Sequence, residues 1–318
     1  MLGWMDELVQ TLQSQNRMAT ADNYLAARRK LVEFLYAKGK RDIPLRKVDA
    51  GLLADYQEWI LADGKAHSTL SFHMRILRAV YNKALRNGRL QRVPLSGDPF
   101  LSVFTSTTAA RKRALVPEDI ARLAALDIPA QLARMGKHVQ RKSFRKMVEG
   151  LTFARDTFLF CFFACGLPFV DFCYLTVRNI RGGYLSYDRH KTDIHVEMEI
   201  LPQMQQFISR YAAAGPYLFP VLTTTGTKEA YEQYNAARRQ YNHRLKLLSQ
   251  MLGDDVCLSS HVSRHTWATT VYHNGMVVPY ISERLGHTSE RTTRKYLKSF
   301  ESSKIDEVNK RILSSIFK

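Results

Sequence analysis

The chain has 318 residues, of which 45% are hydrophobic, and it carries a formal net charge of +18 at pH 7. This length and this apolar fraction exclude an intrinsically disordered protein and fit two globular domains. The excess of positive charge indicates a polyanionic partner, which is most often a nucleic acid.

Basic residues are spread over both halves of the chain. Residues 1–105 contain 16 basic and 10 acidic side chains, and residues 106–318 contain 31 and 19. Two domains that both bind a duplex would need this distribution. An anionic membrane surface is the weaker alternative, because no lone amphipathic anchor stands out. Since residues 1–15 lack the apolar core of a signal peptide and no apolar run is long enough to span a bilayer, we expect a soluble cytoplasmic protein.

The N-terminal part of the chain predicts a bundle of helices. Hydrophobic residues recur at helical spacing over residues 5–13, 20–38, 50–62 and 68–87. Thr20 is a plausible N-cap for the second helix, and Gly39 and Gly88 end the second and fourth helices. Pro94, Gly97 and the small polar residues after them indicate a linker over residues 93–113.

The fourth predicted helix has an apolar face and a basic face. The basic face includes His73, Arg75 and Arg78. A core helix with a solvated face explains this pattern, and a helix laid in a DNA groove explains it equally well. Arg141 and Lys142, in a basic stretch further along the chain, allow the same two interpretations: a solvated loop or phosphate contacts.

The second half of the chain predicts more helices and a small sheet. Pro117 marks a helix start, and residues 153–175 form an apolar helical stretch. Residues 183–201 alternate like two strands around a turn at residues 190–193. The predicted fold is therefore mainly α with a small antiparallel sheet. The four cysteines lack the paired spacing of a zinc site, so we expect free thiols and no metal.

Three motifs contain residues suited to catalysis. The sequence HVSRH spans His261 to His265, and helical spacing would place residues 261, 264 and 265 on one face. The tripeptide LGH ends at His287, and Tyr296 follows nine residues later. Lys191 lies in the turn of the predicted hairpin. Each residue alone has a structural explanation, so the hypothesis rests on their joint order and spacing.

In this order and spacing, the motifs resemble those of the tyrosine recombinase (phage integrase) family. The resemblance covers the catalytic half, and the helical first half is similar to the family's SAM-like core-binding domain. It implies a two-domain, C-shaped DNA clamp, with residues 1–105 as the core-binding domain and residues 106–318 as the catalytic domain. The stretch GLPFVDF at residues 166–172 resembles the family's first box as found in Bacteroidetes-type mobile and invertible elements.

The resemblance also implies a role for each motif residue. Tyr296 would attack the scissile phosphorus to give a 3′-phosphotyrosine, which conserves the bond energy so that rejoining needs no ATP or other cofactor. Arg264 would hold the non-bridging oxygens through its planar fork. His261 and His287 would donate hydrogen bonds to the same oxygens or steer the tyrosine proton. Lys191 would protonate the departing 5′-oxygen.

The first box departs from the family's pattern. The family places an arginine, the second phosphate clamp, where this chain has Pro168, and some relatives place it where this chain has Cys165. A cation from elsewhere must take over that role, or the protein is impaired. We hypothesise that Arg155 supplies the charge, with Arg178 and Arg181 as the other candidates.

The expected function is site-specific DNA recombination through a Holliday junction, by a DNA invertase or a mobile-element integrase. The expected partners are double-stranded DNA with inverted-repeat half-sites and further copies of the chain in a homotetramer, coupled through a tail helix in residues 297–318. The expected location is the bacterial cytoplasm, at the nucleoid. The alternatives are a catalytically impaired DNA-binding relative and a type IB topoisomerase-like enzyme.

Overall fold

The computed structural model describes residues 1–90, 97–101, 103, 114–136, 141–253, 255–294 and 297. The chain divides into two compact units, Met1–Ala110 and Arg111–Lys318. Tyr296 and, except for Leu297, the predicted tail helix lie outside the described residues, as does most of the predicted linker. None of the described helices is long and apolar enough to cross a membrane.

The first unit contains four helices close to the predicted positions. They are α1 (Leu2–Ser14), α2 (Met18–Ala37), α3 (Ala50–Ala62) and α4 (His67–Arg86). Helix α3 has the predicted bounds, because the Asp49 carboxylate accepts a hydrogen bond from the Leu52 amide at 2.8 Å and so caps its start. The predicted cap at Thr20 is wrong, because α2 already begins at Met18 and Thr20 lies inside the first turn.

The second unit contains nine described helices, numbered onward from the first unit: α5 (Pro117–Ala124), α6 (Ile128–Arg134), α7 (Arg141–Phe163), α8 (Phe169–Tyr174), α9 (Pro202–Tyr211), α10 (Thr227–Leu252), α11 (Val262–His273), α12 (Val278–Arg284) and α13 (Glu290–Arg294). Helix α7 packs against α5, α6, α9, α10 and α11 and therefore forms the centre of the unit. The predicted fold class, mainly α with a small antiparallel sheet, is confirmed.

A three-stranded antiparallel sheet lies within the second unit. Its strands are β1 (Ile180–Arg181), β2 (Tyr184–Asp188) and β3 (His195–Glu199), in the order β1-β2-β3. Leu185 pairs with Met198 and Tyr187 with Val196, and these four side chains are buried while their neighbours face outward. The alternation fixes the register, because a slip of one residue would expose the apolar face. The turn between β2 and β3 therefore holds a defined position.

Aromatic rings fill the core between α7, α8 and α9. The Phe160 ring lies 4.7 Å from Phe207, 5.4 Å from Phe219 and 5.8 Å from Phe172, measured between centroids. These separations are typical of edge-to-face and offset aromatic packing, which stabilises a core beyond the area it buries. The core supports the loop after α7 and the start of α8, where the first-box residues lie.

We expect Phe160→Ala to destabilise the second unit by about 3–5 kcal/mol, because it removes a fully buried ring and leaves a cavity. The melting temperature of the full chain, followed by circular dichroism, should fall by roughly 10 °C. Tyr280→Ala is the matched control, because that ring is 64% exposed, and its shift should stay below about 2 °C. Equal shifts in the two variants would contradict the packing described here.

Candidate active site

The HVSRH motif lies at the start of helix α11. His261 is the N-cap residue, and its backbone is already helical, with φ −96° and ψ −17°. The His265 amide donates to the His261 carbonyl at 3.1 Å, which closes the first turn. The predicted helical spacing of the motif is therefore present, and Arg264 points into the protein, where only 3% of the residue is exposed.

Arg264 joins three segments of the chain. Its Nη1 donates to the Gly166 carbonyl at 2.9 Å, and its Nη2 donates to the Leu285 carbonyl and contacts His287 Nε2 at 3.1 Å. Gly166 has a φ of +74°, and a Cβ there would lie 3.1 Å from the Arg264 Cα. Glycine thus permits both the left-handed turn after α7 and the close approach of α11.

His287 is held between Arg264 and α13. Its Nδ1 lies 2.8 Å from the Thr293 hydroxyl oxygen. Because a guanidinium only donates, Nε2 must accept from Arg264, and the ring proton resides on Nδ1. Burial lowers the pKa of His287 to about 3, assisted by the charges of Arg264, Arg189 and Lys191. The ring is therefore neutral at physiological pH, and an anion bound beside it would raise its pKa again.

His261 occupies the open side of the site. The residue is solvent-exposed, unlike Arg264. Desolvation by the surrounding protein lowers the pKa of the ring, and the charges of Arg264, Arg238 and Lys191 lower it further. A neutral imidazole that a ligand can reach is able to accept or donate a proton during a reaction.

The β2–β3 turn brings Lys191 to the same place. The Thr192 hydroxyl donates to the Gly286 carbonyl at 3.1 Å, which ties the turn to the LGH motif. Lys191 is exposed, and its charge lowers the pKa of both His261 and His287. The structure thus brings together four of the five predicted catalytic residues.

An ion pair that the sequence analysis missed supports this arrangement. Arg189 Nε lies 2.8 Å from Asp171 Oδ2, and both side chains are buried. Arg189 Nη1 also donates to the Leu285 carbonyl, the same oxygen that Arg264 contacts. Burial raises the pKa of Asp171, while the charge of the adjacent Arg189 and the hydrogen bond from the His190 amide oppose the rise. The only signal for this pair in the sequence was the presence of an acidic residue, Asp171, in the first box and of Arg189 two residues before Lys191.

Gly286 makes room for this pair. Its φ is +60°, and a Cβ at this position would lie 2.8 Å from the Arg189 Cγ. The glycine of the LGH motif therefore allows the Leu285 carbonyl to face the Arg189 and Arg264 guanidiniums at the same time.

The structure excludes Arg155 as the missing first-box cation. Its Nη1 donates to the Leu126 carbonyl at 3.1 Å and its Nε pairs with Asp156 at 2.8 Å. About 12 Å of helix separates Arg155 from the end of α7 at Phe163. The hypothesis was wrong because Arg155 lies on α7 well before the site and is occupied there.

Arg178 and Arg181, the other two candidates, are exposed residues of a short 3-10 helix and of strand β1. Within the part of the chain that the structure describes, neither contacts Arg264 or the two site histidines.

The predicted DNA-contact residues differ in exposure. His73 was wrongly assigned to the exposed face of α4, because only 7% of the residue is exposed and burial lowers its pKa. Arg75 is exposed, and Arg78 pairs with Asp98 at 3.1 Å. Lys142 is exposed on α7. Arg141 is the first residue of that helix, and its side chain is not among the parts that the structure describes. The DNA contacts of these four arginine and lysine residues stay predictions.

Comparison with known proteins finds matches to both parts of the chain. Residues 1–98 match the phage integrase SAM-like domain, and residues 152–303 match the phage integrase family. Tyrosine recombinase XerC of Rhodospirillum centenum is 26% identical over 253 residues, which are 77% of this chain and 67% of the relative.

Solved structures share the fold. A lambda integrase dimer bound to a COC′ core site superposes with a TM-score of 0.63 at 14% identity, covering 93% of this chain and 94% of that chain. A lambda integrase tetramer bound to a Holliday junction gives 0.61 at 14% identity, covering 93% and 76%.

The fold and the arginine–histidine site define a tyrosine recombinase, a class of enzymes that cleave and rejoin DNA strands. The chain belongs to the phage integrase family, with the family's SAM-like domain in its N-terminal part.

Asp171→Asn should destabilise the chain by about 3–5 kcal/mol, because it leaves the Arg189 charge buried without a counter-ion. We expect the melting temperature to fall on the order of 10 °C in calorimetry of the full chain. Asp188→Asn is the control, since that carboxylate is exposed and pairs with the exposed His195; it should cost under about 1 kcal/mol. If Asp171→Asn melts like the control, the ion pair does not support the site.

His287→Gln should weaken the dependence of stability on pH. A histidine in the unfolded chain titrates near 6.5, whereas the folded ring has a pKa of about 3. Between these values the unfolded state binds the extra proton, so stability is lost as the pH falls. From pH 7 to pH 5 the wild type should lose roughly 1–2 kcal/mol more than His287→Gln in thermal unfolding. His195→Gln, at an exposed ring in the same unit, is the matched control, and equal slopes in wild type and His287→Gln would refute the neutral ring.

Proposed function

We propose that the chain is a site-specific DNA recombinase that uses Tyr296 as its nucleophile. The observation that carries the proposal is the convergence of Arg264, His287, His261 and Lys191 at one place, from α11, the LGH segment and the β2–β3 turn. Phosphoryl transfer requires a nucleophile, stabilisation of charge on the phosphate and a proton for the leaving group. Tyr296 is the proposed nucleophile, and the four converging residues are of the types that can provide the other two.

The proposed cleavage step is balanced in bonds and protons. The Tyr296 oxygen forms a bond to the scissile phosphorus, and the bond from phosphorus to the 5′-oxygen breaks. Neutral His261 accepts the tyrosine proton, and Lys191 donates a proton to the departing 5′-oxygen. Arg264 neutralises charge on the non-bridging oxygens. Rejoining is the reverse, with a 5′-hydroxyl attacking the 3′-phosphotyrosine, so no external energy source enters.

His287 supports Arg264 before DNA arrives. Its Nε2 accepts from the guanidinium and its Nδ1 is anchored on Thr293. A bound phosphate anion would compete for the guanidinium and raise the pKa of the ring. His287 could then donate to a phosphate oxygen, which is the role that the resemblance implies. Thr293 lies three residues before Tyr296 in the chain.

The DNA substrate and the assembly follow from the same proposal. Both units contact the duplex, with Arg75 and Arg78 of α4 and Arg141 and Lys142 at the start of α7 as backbone contacts. Two copies occupy inverted-repeat half-sites, and four copies exchange strands through a Holliday junction, coupled by residues 297–318. We place the reaction at the bacterial nucleoid, in a DNA invertase or a mobile-element integrase of the Bacteroidetes type, because the GLPFVDF box resembles that group.

A catalytically impaired DNA-binding relative is the second candidate. The observation that favours it is the absence of an arginine at positions 165 and 168, where the chain has cysteine and proline. Such a protein would bind the same half-sites and form no covalent bond with them.

The test is a suicide substrate, a nicked duplex built from the inverted repeats that flank the gene. We expect a covalent protein–DNA band that resists denaturant, is absent with Tyr296→Phe and falls about 100-fold or more with Arg264→Ala. Tyr280→Phe, at an exposed tyrosine of α12, should leave the band unchanged.

Three outcomes would overturn the proposal in different ways. Retarded DNA without a covalent band would establish the binding-only relative. Relaxation of supercoiled DNA that lacks the repeats would establish a type IB topoisomerase-like enzyme. A covalent band that persists in Tyr296→Phe would assign the nucleophile to another residue.

A further inference from the structure

The site as described has one arginine available to a phosphate where the family's pattern has two. Arg264 already gives Nη1 to the Gly166 carbonyl and shares Nη2 between Leu285 and His287. A transferring phosphoryl group develops charge on more than one non-bridging oxygen, so a second cation is needed. Neither Cys165 nor Pro168 can provide it.

Arg189 lies close to Arg264, because both guanidiniums contact the Leu285 carbonyl. It is nevertheless unsuitable as a clamp. Its side chain is only 8% exposed, and the Asp171 carboxylate neutralises it at 2.8 Å. Withdrawing Arg189 to bind a phosphate would leave Asp171 charged and buried, which is strongly unfavourable. Arg189 therefore positions Leu285 and the β2–β3 turn without offering charge to the substrate.

Helix α10 carries another arginine beside His261. Asn242 fixes this helix to the residue before His261, because the Ser260 amide donates to Asn242 Oδ1 at 3.0 Å and Asn242 Nδ2 donates to Ser260 Oγ at 3.3 Å. Arg238 lies four residues earlier, which places it one turn away on the same face of α10. Asn242 Nδ2 also donates to the Arg238 carbonyl at 2.9 Å. Arg238 thus flanks the open side of the site, where His261 is exposed.

Arg238 also contacts an aromatic ring, and a series of ring contacts connects that ring to the β2–β3 turn. Its guanidinium carbon lies 5.8 Å from the centroid of the Tyr234 ring. Tyr234 contacts Tyr174 at 6.3 Å, and Tyr174 stacks on His190 at 4.7 Å, the residue next to Lys191. The ring contact orients the guanidinium without neutralising it.

The charge of Arg238 remains available to a ligand. The residue is exposed, and no carboxylate of the described residues forms an ion pair with it. Its charge contributes to lowering the pKa of His261, as does that of Lys191. Arg238, Lys191 and Arg264 are therefore all close enough to His261 for their charges to act on its ring, and Arg238, Lys191 and His261 are exposed.

We propose that Arg238 is a catalytic residue that binds a non-bridging oxygen of the scissile phosphate and replaces the arginine missing from the first box. The guanidinium and Arg264 then bind the phosphate from two elements, α10 and α11. This inference rests on the proposed recombinase function and adds a residue to its chemistry. It requires no further reactant, because Arg238 stabilises charge and transfers no proton.

The test compares variants on two suicide substrates. One carries the normal scissile phosphodiester, and the other carries a methylphosphonate there, which is uncharged because a methyl group replaces one non-bridging oxygen. On the phosphodiester we expect Arg238→Ala to lower the rate of covalent complex formation roughly 100-fold, and Arg238→Lys roughly 10-fold. On the methylphosphonate the Arg238→Ala rate should return to within about fivefold of wild type, because little charge remains to be stabilised.

Arg239→Ala is the matched control, because Arg239 is the next residue of α10 and is also exposed. It should cleave both substrates like wild type, and gel retardation should show that both alanine variants bind the half-site. A structural role for Arg238 would predict the same loss on both substrates.

The outcomes separate this inference from the proposed function. If wild type forms the covalent complex and Arg238→Ala matches it on the phosphodiester, Arg238 is not a clamp and the recombinase proposal stands. An equal loss on both substrates would also reject the clamp. If wild type forms no covalent complex with either substrate, both proposals fall.

Discussion

The buried guanidinium of Arg264 is the interaction on which the second unit's site depends. A charge removed from water must be compensated by hydrogen bonds or by opposite charge. Here two backbone carbonyls and a neutral imidazole accept from it, and they come from the loop after α7 and from the LGH segment. Burial of Arg264 therefore depends on both of these segments being in place.

The remaining charges around Arg264 fall into two groups. Arg189 and Asp171 form a buried ion pair. Their hydrogen bonds are made within the protein, from Arg189 to the Leu285 carbonyl and from the His190 amide of the β2–β3 turn to Asp171. Lys191 and Arg238 face solvent and lower the pKa of His261. An anion approaching the site would therefore meet uncompensated positive charge. Burial, reinforced by this positive charge, keeps the two histidines neutral, and a bound anion would raise the pKa of both rings.

The departure in the first box changes how charge is distributed. With Pro168 at the start of α8 and Cys165 in a left-handed turn, this segment provides only a backbone carbonyl to Arg264. Its carboxylate, Asp171, acts through Arg189 and the His190 amide instead. The first box thus supports the β2–β3 turn in this chain, and the exposed cationic side chains close to His261 come from the turn and from α10.

The amino-acid sequence by itself determined the helical first unit, the β2–β3 hairpin and the identity of the family, because these depend on local periodicity, turn residues and motif spacing. It placed α3 at the observed residues, since the cap at Asp49 lies beside the helix it starts. It failed for His73, which is polar but fills the core, and for Arg155, which is basic but lies on the wrong part of α7. Only the tertiary structure decided that Arg189 pairs with Asp171 and that Arg238 lies beside His261. Both depend on contacts between segments that lie 18 or more residues apart in the chain. Sequence spacing does not show which charged side chains such contacts will neutralise, or which charged side chains will face solvent.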